Sequence, residues 1–414
     1  IVFRYFNDDE QMQVFNLMKS SNHTLEFLIE LDDTIIEKLL DKENVDRIAE
    51  LIQNASTNDQ SYILGTLNQS QAKSVIDLLK KEEKEEIEEL MGYPDDSAGA
   101  MMATDVFTLY QDTTCGDALK TLQDQQDAEM VFYLYITDDN DSLVGVASLR
   151  ALATTPSNTL LKDIMARRVH SVRPETDQED VAQIVAQYNY LAVPVVDSDN
   201  RLLGIVTVDD VVDVIREEAT EDFFRMAGAG KDREILLKSS WENAKVRLPW
   251  LFASWVGGVV AASVIGAYEH MLESIVALAA FIPVIIGMGG NIGTQSSTII
   301  VRGMATGRIE VGSELLVLVK ELKVGLILGI LYGILLGIFA NLKFIGTDPM
   351  LGLVVGLSIA SSMLIAVTVG SFTPLILRKL EIDPAVATGP FVTTSIDILG
   401  VLFYFVIAGI LLNI

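Results

Sequence analysis

Asp397 is the one carboxylate in the apolar stretch from Ala385 to Leu412, and it stands close to halfway along it. A helix of about 20 apolar residues spans a bilayer. At 1.5 Å of rise per residue, Asp397 is expected roughly 21 Å beyond Asp383, near the membrane midplane. An ionised carboxylate there costs at least about 2.5–3.5 kcal/mol, so such residues usually face a water-filled path, a partner or a cation. The plain alternative is a neutral Asp hydrogen-bonded between helices. Thr393 precedes Asp397 by four residues, which puts hydroxyl and carboxylate on one helix face. Gly389-Pro390 comes one turn earlier, and a proline there is expected to free a backbone carbonyl near Gly389. These donors are all oxygen, with no cationic side chain beside them. Hard ions such as Mg²⁺ and Ca²⁺ take such a set, whereas soft metals want Cys or His. Mg²⁺ sheds water reluctantly, so this lining suits a largely hydrated ion.

A second polar group lies in "GMGGNIGTQSSTIIVRG" (287–303). Asn291, Gln295 and Thr298 are spaced i, i+4, i+7 and share one helix face. Gly287, Gly289 and Gly290 permit close backbone approach or a break in the helix. In a membrane such a face is either glue between helices or the lining of a pore, and the residues alone leave both open.

Both groups need a membrane part to hold them, and the composition supplies one. Half of the 414 residues are hydrophobic, mean hydropathy is +0.35, yet net charge is −27. Residues 1–247 carry 23 Lys+Arg and 48 Asp+Glu, a net of −25, while residues 248–414 carry 7 and 9, a net of −2. The first part reads as soluble and very acidic, the second as membrane, each long enough for its own structure. So acidic a part repels nucleic acid and anionic lipid but suits divalent cations, although most individual carboxylates are solvated surface. Cys115 is the only cysteine and the three histidines are scattered, so neither a disulfide framework nor a zinc pattern is present. That usage fits a reducing cytosol. No signal peptide is visible; Ile1 is not an initiator, so the first domain is expected to begin upstream of it.

Residues 1–90 show the spacing of short amphipathic helices, as in Ile35, Ile36, Leu39 and Leu40, which suggests an α-solenoid. An internal repeat follows. "YLYITDDNDSLVGVASL" (133–149) and "AVPVVDSDNRLLGIVTV" (192–208) align without gaps, matching Asp138 to Asp197 and Gly145 to Gly204. Each copy reads strand, acidic turn, strand, helix, and two side by side form a pseudo-symmetric pair. Five apolar segments come last, near 248–268, 274–302, 319–341, 349–377 and 384–412. Trp250 and Trp255 mark an interface. Lys245, Arg247, Arg302, Arg308, Lys320, Lys323, Arg378 and Lys379 lie on one side and Lys343 alone on the other. The positive-inside rule puts the soluble part in the cytosol and the C-terminus outside a plasma membrane.

The repeats resemble a tandem pair of CBS domains, modules that often bind adenosine nucleotides or metal ions. With "YPDDSAG" (93–99), "EEATED" (217–222), "GGNIGTQSSTIIVRGMATG" (289–307) and "DPAVATGPFVTTSIDILG" (383–400), the whole chain resembles the MgtE family of magnesium channels and transporters. The resemblance implies a homodimer of multidomain subunits. Each would hold an α-solenoid-like helical N domain (1–95), an α+β tandem CBS pair (96–161 and 162–222), a connecting plug helix (223–247) and an all-α membrane domain of five helices (248–414). The pore would lie on the dimer axis, lined by the second and fifth membrane helices. Asp397 would bind the ion, with Thr393 and Gly389 beside it, Asp383 at the cytosolic mouth, and Asn291 and Gln295 on the polar motif. Regulatory Mg²⁺ would fall to Asp95, Asp96, Asp197, Asp199, Asp209, Glu221 and Asp232. An adenosine nucleotide such as ATP would meet Thr207 and Asp209 in the second copy; the first has Ser148-Leu149-Arg150 there. Two departures stand out: Gly389 and Thr294 occupy positions where asparagine is expected, and the connector is basic at Lys231 and Arg233.

On this reading Mg²⁺ enters down its electrochemical gradient and, when plentiful, bridges cytosolic carboxylates to close the pore. No Walker A loop suggests an ATP engine, and no nucleophile–base pair suggests an enzyme. The competing readings are a proton- or Na⁺-coupled secondary transporter and a membrane-anchored nucleotide sensor.

Overall fold

In the computed structural model, the described residues are 3, 6–18, 23–53, 55–124, 133–229, 239–309 and 312–413. The chain divides into two compact units, Ile1–Glu217 and Glu218–Ile414.

The first unit opens with seven short helices: α1 (Asp8–Met18), α2 (Thr24–Ile29), α3 (Asp33–Leu40), α4 (Val45–Ile52), α5 (Thr57–Thr66), α6 (Gln69–Ile76) and α7 (Lys81–Leu90). Side-chain caps fix where several begin: Asn44 accepts from Asp46 N–H, Ser56 from Asp59 N–H, and Asn68 from Gln71 N–H. Each helix packs on the one two places further on, α1 on α3 through to α5 on α7. That is solenoid packing, in which Ile36, Leu40, Ile48, Ile52, Ile63 and Leu64 are buried between neighbours.

The repeat follows. Its first copy holds α8 (Ala98–Met101), β1 (Thr108–Tyr110), α9 (Cys115–Asp124), β2 (Tyr133–Thr137), β3 (Leu143–Ser148) and α10 (Leu149–Thr154). The second holds α11 (Leu161–Ile164), α12 (Gln178–Tyr188), β4 (Ala192–Val196), β5 (Leu202–Thr207) and the start of α13 (Val208–Met226). β2–β3 and β4–β5 are antiparallel hairpins, and β1 adds to β2 in parallel. The aligned aspartates do the same work in both: Asp138 Oδ1 accepts from Asn140 and Ser142 N–H, and Asp197 Oδ1 from Asp199 and Arg201 N–H. Asp141 and Asn200, also aligned, both take positive φ at the turns. The two turns then meet, Asn200 Nδ2 donating to Leu143 O at 2.7 Å. Tyr135, Leu143, Val196 and Ile205 bury a shared core between the copies.

The second unit holds the end of α13 and five helices long and apolar enough to cross a membrane. α14 (Ser240–Ala267) starts at a capping box of Ser239 and Glu242. α15 (Glu269–Ser274) and a 3-10 turn (Val276–Phe281) lead to α16 (Ile282–Ala305), then α17 (Glu314–Lys343) and α18 (Leu351–Lys379); a second 3-10 turn (Pro384–Thr388) leads to α19 (Pro390–Leu412). α18 is central, packing on α16, α17 and α19, while α14 packs on α19. Gly325, Gly329, Gly333 and Gly337 form a stripe on α17, and an added Cβ at Gly337 would lie 2.6 Å from Gly352 O of α18. Without a hydrophobic drive between helices in lipid, such backbone-close packing is what holds them.

α16 runs unbroken through Gly287, Gly289 and Gly290, so the irregularity lies before the helix, in the 3-10 turn. The glycines instead serve close approach: an added Cβ at Gly289 would lie 2.9 Å from Ser362 Oγ of α18. α19 likewise starts at Pro390, so Asp383 and Asp397 are joined through a 3-10 turn and not along one continuous helix.

Candidate functional site

Asp397 sits two turns inside α19 and is half-buried. α16 comes up against it at Gly290, where an added Cβ would lie 3.9 Å from Asp397 Oδ1. The next residue, Asn291, is exposed, as is Gln295, while Thr298 is half-buried. The backbone of the second segment's polar stretch is thus brought against the carboxylate at Gly290, and its amides Asn291 and Gln295 are left uncovered on the single chain.

Thr393, half-buried one turn before Asp397, donates its hydroxyl to Pro390 O at 3.2 Å. The Gly389 carbonyl itself is not left loose. Pro390 is the first residue of α19, where its missing donor has no intrahelical partner to lose, and Gly389 O accepts from Thr393 N–H at 3.4 Å. Thr394 faces Gly257 of α14, whose lack of a Cβ makes the contact possible.

Gly389 is buried under the end of α13: an added Cβ would lie 3.5 Å from Met226 O and 3.7 Å from Arg225 O. Asp383 is held from two sides. Its Oδ1 accepts from Ala385 N–H at 2.8 Å and caps the 3-10 turn, and its other oxygen pairs with Arg225. Arg225 also pairs with Glu221, one turn earlier on α13. Burial pushes the Asp222 carboxyl above its ordinary range, against the pull of Arg225 and Arg302. The surroundings of Asp383 are thus a set of alternating charges that already contains its own cations.

The other sequence-predicted acids lie apart from such clusters. Asp95, Asp96, Asp199 and Asp209 are exposed and Asp197 is half-buried, with one oxygen committed to the turn. Asp232 lies outside the described residues, as do Lys231 and Arg233. Among the described residues no three His, Cys, Asp or Glu gather in a way that would hold a metal ion. Thr207 donates its hydroxyl to Asp210 Oδ2 at 2.6 Å, so its partner is Asp210 and not the neighbouring exposed Asp209. Burial raises the Asp210 carboxyl, opposed by the two hydrogen bonds from Thr207.

Two residues that the sequence reading passed over carry much of this arrangement. Arg225 was signalled only by its i, i+4 spacing from Glu221. Glu321 of α17 is buried and accepts from Ser296 of α16 at 2.8 Å; its signal was the glycine stripe that it precedes by one turn.

Comparison with known proteins gives three family matches: the divalent cation transporter model MgtE over residues 282–407, the MgtE intracellular N domain over 2–96, and CBS domains over 98–156 and 161–217. A magnesium transporter MgtE of Enterococcus faecalis is 40% identical over 80% of this chain and 73% of its own length. One from Thermus thermophilus is 35% identical over 89% of this chain and 80% of its own. The crystal structure of the soluble part of a magnesium transporter aligns at 37% identity and TM-score 0.48, covering 52% of this chain and 86% of that one.

Proposed function

The chain belongs to the MgtE family of magnesium transporters, and from that premise we propose that it is a Mg²⁺ channel working as a homodimer. The observation that carries the reading is Asp397 set against Gly290, with Asn291 and Gln295 uncovered beside it. Exposed amides on α16, with a half-buried carboxylate on the neighbouring α19, suit a path shared with a second copy. Two Asp397 side chains across a two-fold axis would repel unless a dication lay between them. The site's oxygens suit an ion that keeps its water, as Mg²⁺ does. An inward potential of 100 mV is worth about 2.3 kcal/mol per charge, hence about 4.6 kcal/mol for Mg²⁺, enough to drive entry without ATP.

Gating follows from the acidic cytosolic part, whose carboxylates repel one another when Mg²⁺ is scarce and are bridged when it is plentiful. The end of α13 over Gly389 is the element that this balance would move. An adenosine nucleotide bound near Thr207 in the second CBS copy would bias the same balance. The soluble part faces the cytosol and the C-terminus lies outside.

The test is flux of Mg²⁺ into liposomes reconstituted with the full chain. Uptake driven by membrane potential alone, and lost in Asp397→Ala, is the expected result. Uptake that requires a proton or Na⁺ gradient would replace the channel with a coupled transporter, and undiminished uptake in the variant would remove Asp397 from the path.

A further inference from the structure

Several serines and threonines of the membrane-capable helices bond to their own backbone. Ser254, Ser263, Thr368, Thr373 and Ser395 each donate to the carbonyl four residues earlier. Ser296 departs from this habit. Its hydroxyl leaves α16 and donates to Glu321 Oε2 of α17 at 2.8 Å, with Ser296 2% and Glu321 6% exposed.

Glu321 begins the stripe that continues as Gly325, Gly329, Gly333 and Gly337. Those glycines hold α17 backbone-close to α18, an added Cβ at Gly333 lying 2.6 Å from Gly356 O. The carboxylate is thus carried by a helix packed backbone-close to α18, and its long side chain reaches α16 at Ser296. Around the α16 axis, at about 100° per residue, Ser296 lies about 100° from Gln295 and about 140° from Asn291. A bond at that position therefore sets the rotation at which the two amides are presented. Glu321 lies between Lys320 and Lys323, near the first turns of α17, yet it is buried, and a buried carboxylate is a costly way to join two helices where a neutral group would serve.

We propose that Glu321 is a positioning residue for ion selection: through Ser296 it holds α16 at the rotation that keeps Asn291 and Gln295 toward the ion path. The inference rests on the reading of α16 as a pore-lining helix. Glutamine keeps an oxygen that can accept from Ser296, whereas alanine does not, so the role predicts rescue by the amide.

The experiment compares Mg²⁺ with Ca²⁺ flux in liposomes for the full chain and for Glu321→Gln, Glu321→Ala and Ser296→Ala. Glu321→Ala and Ser296→Ala should each lower the Mg²⁺:Ca²⁺ flux ratio at least fivefold. Their combination should be no worse than either, and Glu321→Gln should stay within twofold of wild type. A wild-type ratio in either single variant, or a glutamine variant as impaired as the alanine one, overturns the proposal. Should Glu321→Ala fail to assemble, Ser296→Ala, which removes one oxygen, decides the matter. Wild-type protein that passes no divalent cation would instead sink the transport reading.

Discussion

The Arg225 guanidinium pairs with the Asp383 carboxylate, and by another nitrogen with Glu221 on its own helix. Two acids expected to attract a divalent cation already share a monovalent one supplied by the chain. Any divalent cation arriving at Asp383 would compete with a tethered guanidinium, and the pair ties α13 to the turn that leads into α19.

Removing that guanidinium should sharpen the response to Mg²⁺. With Arg225→Gln, Glu221 and Asp383 lose their shared cation, and the Mg²⁺ needed for half-maximal closure should fall about tenfold, a change of about 1.4 kcal/mol. Flux measured against cytosolic-side Mg²⁺ in patches or liposomes reads this directly. A higher requirement would mean that Arg225 itself is the closing tether.

Asp397 offers a cleaner test when its charge alone is removed. Asp397→Asn is close to isosteric, so packing against Gly290 is kept while the attraction for a dication weakens. Mg²⁺ flux should drop at least about tenfold, since even 1.4 kcal/mol of lost attraction has that effect. Flux within twofold of wild type would show that the carboxylate acts only as a hydrogen-bonding group.

Gly389 stands where asparagine was expected, and the contact with α13 gives it a use. A methyl group at this position would meet Met226 O at 3.5 Å, an ordinary contact, so Gly389→Ala should close like wild type. An asparagine side chain extends further and must displace the last carbonyls of α13. Gly389→Asn should therefore raise the flux that remains at closing Mg²⁺ concentrations, roughly two- to tenfold if the seat loses about 0.4–1.4 kcal/mol. Equal residual flux in the two variants would separate Gly389 from closure.

The glycine stripe predicts stability rather than flux. Gly337→Val puts carbon into Gly352 O and should cost about 1–3 kcal/mol, seen as a lower thermal midpoint in detergent. Gly266→Ala on α14 meets nothing within 4 Å and should leave the midpoint unchanged or slightly raised. Similar losses in both would mean that the midpoint does not report α17–α18 packing.

In the CBS pair the two copies should differ. Thr207→Ala should weaken ATP binding by the full chain about threefold to tenfold, the worth of a hydrogen bond of about 0.5–1.5 kcal/mol. Ser148, the aligned residue of the first copy, caps α10 by accepting from Ala151 N–H, and Ser148→Ala should leave ATP affinity unchanged. Calorimetry on the two variants checks this, and an equal loss would place the nucleotide between the copies.

Much of the protein was legible in the residue order because the signals are local. The i, i+4 pattern of Ile36 and Leu40, the match of Asp138 to Asp197 at an offset of 59 residues, and five apolar runs each need only short windows of sequence. The family motifs around Asn291 and Asp397 are local too. Helix limits near Pro390 were less legible: whether a proline breaks a helix or begins one depends on what precedes it, and here a 3-10 turn capped by Asp383 precedes it.

The sequence by itself determined the division into an acidic soluble part and an apolar membrane part, because burial and charge follow composition along the chain. It also determined that one carboxylate would lie deep in the last helix. Only the tertiary structure decided the partners. That Asp383 meets Arg225, that Gly389 lies under Met226, and that Glu321 receives Ser296 are contacts between segments from 25 to more than 150 residues apart. A hydrogen bond or ion pair acts over a few ångströms, and no spacing along one helix reveals which side chain another helix will bring within that reach.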